Sequence, residues 1–297
     1  MTRIPPPRAN GFTTSTPVPL YWVEYGDAQA PPLLLLHGGP GASHEYLLPQ
    51  MLELAAEHRV VMYDQRGGGQ SRHDSDREPI GWREQVADVE RVVAELGVDP
   101  LVIVGYSWGG LLGMLYAIEA DASRVSPMPE RLALIDPAPV TREFRDSFEQ
   151  EFSRRQSSRE VEQMRTELAA SGLRLSNPEA YRQRQFEISV AGYFADSRCV
   201  HDLTPFRVTG RVQQSVWASL DGFDLLPKLS RLHLSAFVIH GRQDPIPLAS
   251  SEAVASALGV HCIVMEDCGH VPYVEQPAQL FPPLLAYLRG SATSLLK

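Results

Sequence analysis

The chain has 297 residues, of which 43% are apolar and 21% charged, and a formal net charge of -9. This is the profile of a globular protein; with no Lys/Arg stripe to displace counterions, it speaks against binding to nucleic acid. Cys199, Cys262 and Cys268 are too few for a disulfide framework, no apolar run reaches the length of a membrane span, and Met1 to Asn10 lack the apolar core of a secretory signal, so a cytoplasmic protein is expected.

Residues 12–25 alternate loosely, with Val18, Leu20, Trp22 and Val23 among polar neighbours, and predict one or two opening antiparallel strands. Pro31 to Leu36 is a continuous apolar run suited to a strand buried on both faces, and it ends in His37-Gly38-Gly39-Pro40-Gly41. A helix is expected over 45–57. Another strand follows at Arg59 to Tyr63, closed by Asp64-Gln65-Arg66-Gly67-Gly68-Gly69-Gln70-Ser71. Residues 82–96 place Val86, Val89, Val92, Val93 and Leu96 at helical period, with Gly97 to end the helix. Strands at Leu101 to Val104 and Leu132 to Ile135 then complete a strand–helix alternation that implies a parallel sheet.

The texture changes between Thr141 and Asp224, which is rich in Arg, Glu, Gln and Ser and predicts helices near 142–171 and 178–191 with no buried strand. The sheet pattern resumes with strands at 236–240 and 262–265 and helices at 248–258 and 276–288. The expected organisation is an α/β core formed by 1–140 and 225–297, with a mostly parallel central sheet, helices on both faces, and a helical cap inserted over 141–224.

Within that frame Gly105-Tyr106-Ser107-Trp108-Gly109-Gly110 lies where a buried strand meets a helix. The spacing G-x-S-x-G is that of a nucleophile elbow: a serine at positive φ forces neighbouring backbones together, so the flanking residues must be small. The strain lifts the hydroxyl into the cleft and leaves the Trp108 N–H at a helix N-terminus, aimed at a developing oxyanion. Gly39, after the first buried strand, is the expected second donor. Acyl transfer also needs a base and an acid to orient it. Asp244 follows the strand 236–240 and His270 follows the strand 262–265, where ligands gather beyond the carboxyl ends of strands. The order Ser107, Asp244, His270 is that of an α/β-hydrolase. Asp136 also ends a strand and is the rival acid.

Other signals lead elsewhere. His261, Cys262, Cys268 and His270 match no common zinc spacing, so no metal is expected. Gly67 to Gly69 lacks the Lys-Ser/Thr of a phosphate loop. Asp64 and Arg66 read as an internal polar network, and Trp217, Tyr193, Phe194 and Phe144 as pocket aromatics from the cap.

The segments His37 to Gly41, Asp64 to Ser71 and Gly105 to Gly110 resemble the three signature segments of the proline iminopeptidases, which are prolyl aminopeptidases of the α/β-hydrolase fold in peptidase family S33. The similarity covers roughly 12–140 and 225–289. It implies a serine enzyme without a cofactor that releases an N-terminal residue, typically proline, from a small peptide. In that family, carboxylates of the cap and of the loop around the triad acid hold the substrate's amino group. Here Pro245 follows Asp244, and the stretch Val212 to Trp217 offers Gln213 and Gln214 in place of an acid, so Glu187, Asp202 and Asp221 are the acids left for that task. Glu187, Gln213 and Trp217 are the candidate substrate-binding residues. An esterase or amidase acting on small neutral acyl substrates is the alternative reading.

Overall fold

In the computed structural model, which describes residues 4–72, 80–124 and 126–290, eight strands form one sheet in the order β1-β2-β4-β3-β5-β6-β7-β8. Residues 1–3, 73–79, 125 and 291–297, all within the expected core segments, lie outside the described residues. The strands are β1 (Ala9–Phe12), β2 (Tyr21–Tyr25), β3 (Pro32–Leu36), β4 (Arg59–Tyr63), β5 (Val102–Tyr106), β6 (Arg131–Ile135), β7 (Ser235–Gly241) and β8 (Cys262–Met265). β1 and β2 join antiparallel at one edge, and every pair from β4 onward is parallel.

The four leucines of β3 explain its place near the centre. Leu34 and Leu36 pack into one apolar cluster and Leu33 and Leu35 into the other, on opposite faces. Period-two alternation sends successive side chains to opposite sides, so a strand apolar at every position needs cover on both. One layer includes α1 (Trp82–Glu95), α2 (Trp108–Ser123) and α9 (Leu248–Ala257); the other includes α11 (Pro277–Leu288), preceded by the single turn α10 (Pro272–Glu275).

Between β6 and β7 the chain makes α3 (Arg142–Gln156), α4 (Arg159–Ala170), α5 (Leu173–Ser176), α6 (Pro178–Val190), α7 (Gly210–Leu220) and the short α8 (Leu226–Leu229). Thr141 caps α3 by accepting the Phe144 N–H at 3.2 Å, and Asn177 caps α6 ahead of Pro178. α3 buries no residue completely and carries ion pairs at helical spacing, Arg142–Asp146 and Arg145–Glu149, each at 2.8 Å. An antiparallel bridge between Thr141 and Asp224 ties the two ends of this segment together.

Two expectations change in detail. The helix expected over 45–57 is a pair of 3-10 segments, His44–Leu47 and Gln50–Ala56, because Pro49 between them has no N–H to continue a ladder. The helix expected over 142–171 is two helices that part at Ser157-Ser158, where Ser158 accepts the Val161 N–H at 3.3 Å and starts α4. Among the described residues no helix is long and apolar enough to cross a membrane.

Candidate active site

Ser107 sits between β5 and α2 at φ 54 and ψ -120, in the positive-φ conformation the elbow requires. The glycines around it are there for space. A Cβ on Gly105 would lie 2.5 Å from the Gly109 oxygen, and one on Gly109 would lie 2.1 Å from the Leu36 oxygen. The elbow is pinned to the sheet by the Ser107 N–H, which donates to the Ile135 carbonyl at 3.0 Å. Strain at this residue is therefore held by the surrounding backbone.

The structure brings Asp244 and His270 to the same point. His270 Nε2 is 2.9 Å from Ser107 Oγ, and His270 Nδ1 is 2.6 Å from Asp244 Oδ2. Asp244 also accepts the Ile246 N–H at 2.7 Å. Burial works against its charge, but the imidazoles of His270 and His240 and these hydrogen bonds outweigh that, and its pKa lies below the ordinary aspartate value.

Asp136, the rival acid, is fully buried at φ 42. One oxygen accepts the Gly241 N–H at 2.8 Å and the other has no partner among the described residues. Burial first, and then the charge of Asp244, push its pKa well above the ordinary value, which favours the neutral form of Asp136. Asp136, His240 and Asp244 converge closely enough to suggest a cation site, but His240 and Asp244 are already engaged. His240 meets the Ile246 carbonyl through Nε2 at 3.1 Å and Ser251 Oγ through Nδ1 at 2.9 Å, and Asp244 is engaged by His270.

Gly39 and Trp108 flank the serine. Trp108 opens α2, so its N–H has no intrahelical acceptor. Gly39, at φ 61, lines the same pocket. Gln65 joins the segments that carry these two residues: its side chain accepts the Trp108 Nε1–H at 2.8 Å and donates to the His37 carbonyl at 2.7 Å, while its N–H donates to His37 Nε2 at 3.1 Å. Gln65 thus connects all three motif segments. Sequence reasoning missed it, because an amide inside a Gly-rich loop shows no periodicity to betray its partners. Asp64 and Arg66 lie to either side in separate contacts: Asp64 accepts the His44 Nδ1–H and the Gln70 N–H, both at 2.7 Å, and Arg66 forms a buried fork with Asp88 at 2.7 and 2.8 Å.

His270 is also held through its backbone. Its N–H donates to the Tyr193 carbonyl and its carbonyl accepts the Tyr106 hydroxyl, each at 2.7 Å, and the Tyr193 ring lies 5.2 Å from the imidazole. Tyr193 therefore both covers the His270 imidazole and lines the pocket.

That pocket has a volume of about 430 Å³ and opens on Ser107 and His270. Its walls are chiefly aromatic, among them Trp108, Phe148, Phe152, Tyr193, Phe206 and Trp217, with Gln213 as a polar contributor and, among the described residues, no aspartate or glutamate. Trp217 and Gln213 are both among the lining residues. Glu187 is corrected: it is buried outside the pocket lining, because Arg184 at 2.6 Å and Gln183 at 3.1 Å claim its carboxylate. Asp202 and Asp221 are exposed and also outside the lining, as are Phe144 and Phe194, which pack into the apolar clusters.

Comparison with known proteins places this geometry in context. The profile described as the alpha/beta hydrolase family matches residues 33–282. The proline iminopeptidase of Lactobacillus delbrueckii subsp. bulgaricus is 26% identical over 258 residues, covering 84% of this chain and 86% of that one. Among solved structures, a proline iminopeptidase-related protein of Thermus thermophilus superposes with a TM-score of 0.70 at 20% identity, covering 97% of this chain and 98% of that one. The 2-hydroxy-6-oxo-6-phenylhexa-2,4-dienoate hydrolase of Rhodococcus sp. strain RHA1 does so with a TM-score of 0.64 at 21% identity, covering 95% and 98%. At these identities the two structures share the fold.

Proposed function

The chain belongs to the alpha/beta hydrolase family, and on that premise we propose that it is a serine hydrolase working through an acyl-enzyme. Ser107 Oγ attacks the acyl carbon as His270 Nε2 takes its proton, and Asp244 holds the imidazole tautomer and stabilises the imidazolium. The N–H groups of Gly39 and Trp108 receive the oxyanion. His270 then passes the proton to the leaving group, and water activated by the same imidazole releases the acid. These residues need no cofactor for the sequence of steps.

The observation that carries the substrate reading is the pocket wall. A cavity of about 430 Å³ lined by rings and, among the described residues, free of carboxylates suits a compact, neutral, apolar acyl group. A buried ammonium there would lack a charged partner, which is costly. This supports an esterase or amidase of small neutral acyl substrates. Release of N-terminal proline is the second reading, favoured by the three motif segments and by the relative from Lactobacillus delbrueckii subsp. bulgaricus; the proline ring is itself a compact apolar group that the aromatic walls would accept.

One assay separates the two. A prolyl-arylamide, its N-acetylated form and a short acyl ester are offered to the wild type and to Ser107→Ala. The expected outcome is serine-dependent turnover of the ester, with no advantage for the free amine. Cleavage confined to the free-amine arylamide would establish the aminopeptidase reading, and turnover undiminished in Ser107→Ala would overturn both.

A further inference from the structure

The pocket above Ser107 continues past its aromatic wall. Phe186, Ser189, Phe206 and Val208 line both this pocket and a second cleft of about 1300 Å³. Phe186 and Phe206 meet edge to face with ring centroids 5.4 Å apart, so this pair forms the lip between the two spaces. Beyond the lip the chemistry changes from apolar to ionic.

Arg182 stands one turn before Phe186 on the same face of α6, and Arg207 follows Phe206 directly; both line the larger cleft. Among the described residues neither guanidinium forms an ion pair or a hydrogen bond. Arg72 lines the same cleft, as do three acids, Asp64, Glu45 and Glu179, and of these Asp64 is turned to His44 and the Gln70 N–H. Two unpartnered guanidiniums just outside an apolar acyl pocket are matched by one kind of ligand, since the guanidinium fork fits carboxylate and phosphate oxygens.

We infer that this cleft is a subsite for an anionic group, carboxylate or phosphate, on the arm of the substrate that runs from Ser107 over Phe186 and Phe206, with Arg182 and Arg207 as its binding residues. The inference deepens the serine-hydrolase reading and rests on it for the chemistry at the other end of the substrate.

The test uses butyryl thioesters of one acyl group on three arms: N-acetylcysteamine, which is neutral, N-succinylcysteamine, which ends in a carboxylate, and phosphopantetheine, which ends in a phosphate. Binding is measured by calorimetry on the full chain carrying Ser107→Ala, so that affinity is read whether or not the wild type turns the compounds over. The anionic arms are expected to bind about fivefold to tenfold more tightly than the neutral one at low salt, as two exposed charge pairs allow, with the advantage fading in high salt. Adding Arg182→Ala and Arg207→Ala should bring that ratio close to one. A carboxylate advantage without a phosphate advantage, or the reverse, identifies the source of the anion and supports the subsite. Equal affinity for all three arms, or an advantage that survives the double substitution, overturns it. Turnover by the wild type is scored separately: a charge-dependent affinity with no serine-dependent hydrolysis would remove the proposed reaction and leave the subsite, and hydrolysis with equal affinity for every arm would do the opposite.

Discussion

Asp244 and Asp136 are both buried carboxyls at strand ends, and what separates them is the company each keeps. Asp244 faces the imidazole of His270 at 2.6 Å and is held ionised by its neighbours. Asp136 accepts one backbone N–H through one of its two oxygens, with His240 Nδ1 3.4 Å from that same oxygen, and burial together with the charge of Asp244 raises its pKa and favours its neutral form. Asparagine is nearly isosteric with a neutral aspartic acid, and its oxygen can still accept the Gly241 N–H. Asp136→Asn should therefore lower kcat by less than about tenfold, whereas Asp244→Asn, which imposes the wrong tautomer on the base, should lower it by about 10⁴-fold. Steady-state kinetics on the ester decide the matter, and the opposite ranking would move the acid to Asp136. The chain order favours Asp244 but leaves Asp136 as a rival, because both residues follow strands and precede a proline; which of them meets His270 depends on how β6 and β7 end.

At the scale of elements, the four-residue helix α10 does more than join β8 to α11. Glu275 at its end accepts the N–H groups of Ala195 at 2.7 Å and Asp196 at 3.2 Å through one oxygen, and that of Gly269 at 2.8 Å through the other. One carboxylate thus joins the segment just after Tyr193 to the loop that carries His270, whose own N–H reaches the Tyr193 carbonyl. These partners lie up to 80 residues apart, so no local pattern announces them. Removing the carboxylate should loosen His270 relative to Ser107 while leaving the pocket walls in place. For Glu275→Ala, kcat is expected to fall roughly 10- to 100-fold, the scale of a misplaced reacting group, with KM for the ester little changed. Glu275→Gln keeps an acceptor for Ala195 and Asp196 but turns an amide toward Gly269, and should fall between the two. An unchanged kcat in Glu275→Ala would show that the loop holds His270 without this clamp, and a rise in KM alone would place the residue in substrate binding.

For the molecule as a whole, the parallel sheet, its strand ends and the meeting of Ser107, Asp244 and His270 were legible because apolar runs and the Ser, Asp, His order are local signals whose geometry the fold dictates. The pocket was not, since its walls come from α3, α6 and α7 and from loops whose mutual placement no periodicity encodes; Glu187 has the composition of a ligand but is claimed by Arg184. His37 shows how far the oxyanion loop depends on the folded whole. Its Nδ1–H donates to the Gly38 carbonyl at 2.8 Å and its Nε2 accepts the Gln65 N–H at 3.1 Å, an arrangement only the neutral ring can make. Burial accordingly lowers its pKa from 6.5 to about 4. Between those values the unfolded chain binds a proton that the folded chain refuses, so this contribution to stability is fully present above 6.5 and is lost as pH falls toward 4. Asp136 and Glu275 act in the other direction, since burial raises both, Glu275 to about 6, and total stability mixes these effects. The His37 contribution is isolated by comparing urea unfolding of the wild type with His37→Gln, which shares every other titrating group. From pH 7 to pH 5 the wild type should lose about 2 kcal/mol more than the variant. Parallel losses in the two proteins would mean that His37 is protonated in the fold, and that the Gln65 contact to the oxyanion loop is not the one that holds it.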